Sequence, residues 1–254
     1  MKSETPERQP RVVAAIPCHN EEPFISDIVR SARKHVHQVV VIDDGSSDRT
    51  SEAAEAAGAT VVRHNGNRGP GMAYKSCFEA ARALEADVLI TLDGDGQHMP
   101  DELPGVLAPL LKGEADLVIG SRFLDDYEIR RYRKFGIDVI TWLFNVGSPV
   151  KVVDAQSCYR GYSKRALDTL TITESGFGFS VELLVQARQQ GLVIQEVPIS
   201  CIYHADSHSI NPVVHGVGVA LMVVKHRLKS LRRGSVRTRD VSEDQNHDHS
   251  EVDA

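Results

Sequence analysis

Residues 87–98 read DVLITLDGDGQH. An apolar run ends in two acids, Asp93 and Asp95, with a glycine between them. A short continuous apolar run of this kind predicts a strand over 87–93, buried on both faces as in a parallel sheet. Gly94 and Gly96 leave the backbone free to turn after it. Two carboxylates so close repel each other, so either a cation lies between them or they face open water.

The same design recurs outward from this stretch. RVVAAIP (11–17) runs into CHNEE, QVVVIDD (38–44) into GSSD, and TVVRH (60–64) into NGNRG. ADLVIGSR (115–122) predicts a further strand. Between them, 20–35, 46–59, 71–86 and 101–113 carry helical spacing or capping residues, the last broken early by Pro104. Strand and helix alternate with short joints, which predicts an α/β domain with a mostly parallel central sheet and helices on both faces. Ligands of such sheets sit beyond the carboxyl ends of the strands, and the polar clusters after the first four strands gather there.

The second half is less regular. Residues 128–149 begin basic and continue apolar. ESGFGFSVELLVQARQQG (174–191) places Glu182 near a helix start, and 192–204 reads as a strand or strand pair. Segment 214–233 reads as a helix, apolar first and basic later. Residues 1–10 and 234–254 are polar and predict disorder.

A chain of 254 residues with 41% hydrophobic content is long enough for one large domain with a real core. A net charge of −6 gives no reason to expect a nucleic acid partner. The four scattered cysteines form no CxxC pair and predict free thiols in a reducing compartment. The polar start MKSETPERQPR reads as no signal peptide, and no run reaches the roughly 18 apolar residues of a membrane span.

Carboxylate oxygens at Asp93 and Asp95, with Gln97 and His98 adjacent, suit Mg²⁺ or Mn²⁺ that keeps positions open for a substrate diphosphate. The competing reading is a solvated acidic loop. Asp43 and Asp44 form a second acidic pair after a strand. They fit hydrogen bonds from a ribose or base edge, and equally a capping role shared with Ser46, Ser47 and Asp48. There is no GxGxxG and no GxxxxGK[ST], so dinucleotide-binding and P-loop readings lose their usual support.

The ordered series IPCHNEE (16–22), VIDDGSSDRT (41–50), NRGPGMAYK (67–75), TLDGDGQHMPDELP (91–104), GSRF (120–123) and the helix around Glu182 resembles the family 2 inverting glycosyltransferases over about residues 11–213. The resemblance implies a nucleotide-sugar-binding, Rossmann-like fold of the GT-A type for that catalytic domain. Within the family the chain is most similar to dolichyl- and polyprenyl-phosphate sugar synthases, through D-x-D-x-Q at Asp93–Gln97, the basic stretch Arg130–Arg133 and DAQSCYRGYSKRAL (154–167).

That resemblance implies a nucleotide-diphosphate sugar donor of the GDP-mannose or UDP-glucose type, held by Pro17, Asn20, Glu21, Asp43 or Asp44, Asn67, Gly71, Asp93 and Gly94. It implies Mg²⁺ or Mn²⁺ on Asp93, Asp95 and Gln97. It places Arg131, Arg133 and Arg160 at a polyprenyl phosphate, with Asp154 and Glu182 as base or anchor. An arginine common near the end of the domain is absent, and His204 stands in its place toward the donor. If the acceptor is instead a hydroxyl of a saccharide, small molecule or protein, one of those carboxylates has to serve as base. The apolar-then-basic segment 214–233 and the segment 134–146 suggest peripheral contact with the cytosolic face of a membrane. A homodimer packing through the same helices is the other use of those faces.

Overall fold

The computed structural model describes residues 8–124, 138, 141, 142, 144–146 and 151–202. The strands are β1 (Val12–Cys18), β2 (Gln38–Asp43), β3 (Thr60–Arg63), β4 (Val88–Thr91), β5 (Leu117–Ser121), β6 (Arg160–Ser163) and β7 (Ile194–Pro198). The helices are α1 (Glu22–Ala32), α2 (Thr50–Ala56), α3 (Pro70–Ala83), α4 (Leu103–Leu111), α5 (Lys164–Thr169) and α6 (Phe179–Gln189). The seven strands form one sheet in the order β3-β2-β1-β4-β6-β5-β7.

Side chains alternate across the sheet with the strand period of two. Val13 and Ala15 of β1 join a core with Tyr74, Phe78, Leu167 and Leu183, from α3, α5 and α6. Val12, Ala14 and Ile16 join a second core with Ile25, Ala54 and Val106, from α1, α2 and α4. Helices therefore cover both faces, as the buried strands require. β3 is the exception to the expected two-sided burial. It lies at the sheet edge, and its Val62 is exposed.

Pro104 does not break a helix. A short 3₁₀ turn over Pro100–Glu102 leads into α4, and Pro104 sits in the first turn of α4, where a missing N–H has no helical partner to lose.

The sequence reading assigned no element to β6. This strand enters between β4 and β5, antiparallel to both. Gly161 packs closely under the helix layer: a Cβ there would lie 2.4 Å from Leu110 Cδ1 and 2.9 Å from Ile90 Cδ1, so those side chains would have to shift to admit one. Because β6 is reversed, Arg160 at its start pairs with Thr91 at the end of β4. The preceding loop, Asp154–Tyr159, is thereby delivered to the same edge as Asp93. β5 ends beside it, with Ile119 opposite Arg160.

The expected disordered ends lie outside the described residues except for 8–10, where Arg8 pairs with Asp87 at 3.1 Å. The expected helix 214–233 and most of 128–149 also lie outside them. All four cysteines are free thiols, as expected. No helix among the described residues is long and apolar enough to cross a membrane.

Candidate active site

β1 pairs with β2 on one side and β4 on the other, so the chain reverses its direction of travel across the sheet at β1. Such a reversal opens a crevice at the carboxyl ends. The loops after β1, β2 and β4 meet there.

The loop after β1 is tied down by its backbone. Asn20, at φ 59°, adopts the left-handed conformation that asparagine tolerates better than most residues. Its N–H donates to Ser46 Oγ at 2.9 Å, and its Oδ1 accepts from Ser47 N at 2.7 Å. Glu21 N–H donates to Thr50 Oγ1 at 2.8 Å. Asp48 serves two helices, accepting from Thr50 N at 3.0 Å and from Glu22 N at 3.1 Å. Of the 46–48 cluster expected to cap, Asp48 alone meets N–H groups at the starts of α1 and α2, while Ser46 and Ser47 tie down Asn20.

The acidic loop after β4 lies against the end of β1. A Cβ on Gly94 would come within 2.9 Å of Cys18 Cβ and 3.4 Å of Pro17 O, so only glycine allows this approach. Asp93, about a third exposed at 35%, accepts from Tyr74 Oη at 2.9 Å. Its N–H donates to His98 Nδ1 at 3.3 Å. Burial pushes His98 down to about 4, so the ring is neutral near pH 7 and can accept that bond. Gln97 grips Asp95, donating from its backbone N at 3.0 Å and from Nε2 at 2.6 Å. Chain beyond the sheet secures this loop: Cys201 bridges to His98, and Ile202 N donates to Gln97 O at 2.9 Å.

Electrostatically the crevice is an acid crowd. Burial first, then Asp95, Asp48 and Asp93, push the Glu21 carboxyl up to about 7. Burial and the charge of Asp93 raise Asp95. Burial raises Asp93 against the opposing pull of Tyr74, Arg122 and Arg160. Such crowding fits a divalent cation, because the donors are hard carboxylate oxygens and a bound cation would reverse each shift. Among the described residues, no three His, Cys, Asp or Glu side chains make a metal cage by themselves.

Other expected site residues are occupied by the protein itself. Asp43 is fully buried and accepts from Ser46 N at 2.7 Å and from Ser51 Oγ. Burial opposes its ionisation, yet those hydrogen bonds prevail and hold it below the usual carboxylate range. Asp44 accepts from Arg68 N and Gly69 N, both at 2.9 Å, and pairs with His64 Nδ1 at 2.6 Å. Asn67 Oδ1 accepts from Gly69 N at 3.0 Å. Gly71 N–H donates to Ser175 O at 2.9 Å, and a Cβ there would sit 1.9 Å from Glu174 O. Gly71 thus seats the 173–176 segment on the start of α3.

Glu182, named as base or anchor, is an anchor in this arrangement. It is buried and accepts from Thr173 N at 3.0 Å, Glu174 N at 3.1 Å and Thr173 Oγ1. Asp154 is likewise buried, in a two-pronged pair with Arg122: Nε to Oδ2 at 2.7 Å and Nη2 to Oδ1 at 2.8 Å. Burial opposes its charge, and Arg122 outweighs burial, so its carboxyl lies below the usual range. A general base near neutral pH needs the opposite shift. Arg160, expected at a lipid phosphate, is 1% exposed and donates to Ser180 O at 2.7 Å and Ala155 O at 2.8 Å. It fastens α6 to the loop before β6. Arg131, Arg133 and His204 lie outside the described residues.

Two contributors were not assigned roles from sequence. Arg122 lies within GSRF, a segment that signals the site, but its partner Asp154 is 32 residues away. Tyr74 lies within NRGPGMAYK, and nothing local indicates that it reaches Asp93, which is 19 residues away in the loop after β4.

Comparison with known proteins agrees with this geometry. The model of the family described as "Glycosyl transferase family 2" matches residues 13–171. A UDP-N-acetylglucosamine–dolichyl-phosphate N-acetylglucosaminyltransferase of Methanococcus voltae is 29% identical over 248 residues, covering 87% of this chain and 96% of that protein. An undecaprenyl-phosphate mannosyltransferase of Micrococcus luteus is 31% identical over 209 residues, covering 76% and 84%. Among solved structures, glucosyl-3-phosphoglycerate synthase of Mycobacterium tuberculosis, in complex with Mn²⁺, uridine diphosphate and phosphoglyceric acid, superposes with a TM-score of 0.66 at 22% identity, over 87% of this chain and 78% of that one. The last likeness is one of fold, the GT-A type, with its mixed and mostly parallel sheet. On the family match, the chain belongs to glycosyl transferase family 2 and is a glycosyltransferase.

Proposed function

We propose that the chain transfers a hexose, with inversion, from a nucleoside-diphosphate sugar to a polyprenyl phosphate, with Mg²⁺ or Mn²⁺ at Asp93 and Asp95. The observation that carries the reading is the crowd of Glu21, Asp93 and Asp95 at the β1/β4 crevice, faced by the Arg122–Asp154 pair. The names of the two relatives, both acting on polyprenyl-type phosphates, supply the acceptor class.

Asp93 and Asp95 would hold a divalent cation and, through it, the donor diphosphate, with Gln97 fixing the Asp95 carboxylate. A divalent cation bound there would stabilise the negative charge that grows on the leaving diphosphate. Pro17, Asn20 and Glu21 line the nucleoside side of the crevice. Arg122, aimed by Asp154, offers a fixed positive charge to the incoming phosphate, with Arg131 and Arg133 as further candidates. One oxygen of that phosphate attacks the anomeric carbon as the carbon–oxygen bond to the diphosphate breaks, and the nucleoside diphosphate leaves. The phosphate is already anionic, so no base is needed. A hydroxyl acceptor would need one, and Asp154 and Glu182 are both committed to internal partners.

The reaction site would face a membrane from the cytosolic side. The membrane contact, though not its side, is supported by Trp142, 63% exposed, and the exposed Val146 and Val153 around the same surface hollow.

The test is to incubate the full chain and Mn²⁺ with UDP-glucose, UDP-N-acetylglucosamine or GDP-mannose, with and without a polyprenyl phosphate. Nucleoside diphosphate and labelled lipid are measured together. Labelled lipid from one donor is the expected result. Nucleoside diphosphate release that ignores the lipid, with no labelled product, would overturn the acceptor assignment.

A further inference from the structure

We infer that Tyr74 is a positioning residue for the metal-binding carboxylate, fixing Asp93 through its hydroxyl from the opposite layer of the fold. The inference rests on the proposed metal role of Asp93. Tyr74 projects from α3 and is 3% exposed. Its hydroxyl has two acceptors in reach, Asp93 Oδ1 at 2.9 Å and Cys158 O at 3.3 Å. It has one proton to give. The carbonyl of Cys158 already accepts from Thr91 Oγ1 at 3.0 Å. The carboxylate is closer and charged, and a charge-assisted bond is the stronger one, so the proton goes to Asp93.

The ring cannot swing away. It stacks on Phe179, with centroids 4.2 Å apart and planes 28° from parallel. Phe179 is itself 1% exposed, at the start of α6. That start is held by Arg160 through Ser180 O, and the segment before it by Glu182 through Thr173 and Glu174. The buried anchors of the second half thus converge on the orientation of one acid in the first half. Occupying Oδ1 selects one rotamer of Asp93 before any ion arrives. Hydrogen-bonded supports of metal-binding groups commonly matter about 10–100-fold in metal affinity.

Direct Mn²⁺ binding, read from the loss of the free-ion electron paramagnetic resonance signal with UDP or GDP present, tests this in the full chain. Tyr74→Phe keeps the ring and the Phe179 stack, and is expected to weaken Mn²⁺ binding roughly tenfold with little change in Tm. Phe78→Leu, in the same helix but packed edge-on against Tyr162, is expected to lower Tm and leave Mn²⁺ affinity at the wild-type value. Wild-type affinity in Tyr74→Phe, or equal weakening in Phe78→Leu, would overturn the inference. Asp93→Asn separates the two levels of the argument. If it binds Mn²⁺ as wild type does, the metal assignment itself fails and the inference with it. If it loses Mn²⁺ while Tyr74→Phe does not, only the role of Tyr74 fails.

Discussion

At the β1/β4 crevice, Glu21, Asp93 and Asp95 are crowded, partly buried and pushed toward protonation. Along the same sheet edge, Asp43 at the end of β2 and Asp154 before β6 are buried more deeply, yet both are pulled toward ionisation. Burial acts in the same direction on both groups. What differs is the partner set: two hydrogen bonds and Arg63 for Asp43, a two-pronged arginine and backbone N–H groups for Asp154. Asp95 also has two donors, both from Gln97, so the deciding difference is the neighbouring charge: a buried carboxylate set beside an arginine builds architecture. One held among like charges is available to a cation. The comparison therefore separates acids that look alike in the sequence.

The sharpest way to break this separation is Asp95→Asn. It removes a crowded charge that the fold does not need, so transfer should fall about 10³-fold, equivalent to roughly 4 kcal/mol of lost charge stabilisation, while Tm holds or rises. Initial rates and a thermal melt on the same sample check both halves. A large loss of Tm would put Asp95 with the architectural acids instead.

Asp154→Ala should show the reverse pattern. Removing one partner of a buried pair strands the other, which costs about 3–5 kcal/mol. A urea titration should show that loss. If stability were unchanged and only activity fell, Asp154 would move to the reactive group, and a base-dependent hydroxyl acceptor would regain its footing.

The smallest effect is expected at Glu21, and its sign depends on pH. Its folded value of about 7 lies above the ordinary glutamate value, so its ionisation opposes folding. The penalty is absent below the unfolded value near pH ~4.3 and complete above pH ~7. Glu21→Gln should therefore raise Tm at pH 8 and leave it unchanged at pH 4. Glu21 is partly exposed, so solvent screening cuts the full linkage value to ~1 kcal/mol, a gain of about 2–4 °C in a domain of this size. Asp43 and Asp154 have the opposite sign: their contribution is present above the unfolded value near pH ~3.9 and lost as acid takes the solution below it. A single pH series on the wild type and Glu21→Gln separates the two behaviours.

Much of this was legible along the chain because parallel strands carry their own signal. Each is a short run apolar on both faces, and each loop after it declares its polarity at once. DVLITLDGDGQH therefore placed Asp93 and Asp95 at a strand's carboxyl end without any tertiary information. The alternation with helices then required the other loops to meet them at one edge. The family followed from the ordered motifs, since spacing and residue type survive in a linear reading.

Tertiary structure decided what each polar residue does. RGYS gave no sign of being β6, because a four-residue strand with a glycine and few apolar side chains has little periodicity to read. Its reversed entry carries Asp154 to the crevice edge and sets it against Arg122. The resemblance pointed Arg160 toward a phosphate and left Glu182 as base or anchor; in the fold both make internal hydrogen bonds to neighbouring segments. Tyr74 carried no assigned role in the sequence, yet its hydroxyl donates to the acid that opens the site. Residue type and local spacing fix which groups can be charged and which edge they reach. Whether a charge is satisfied or left for a ligand depends on donors far away in the chain, and only the folded packing brings those donors within hydrogen-bonding distance.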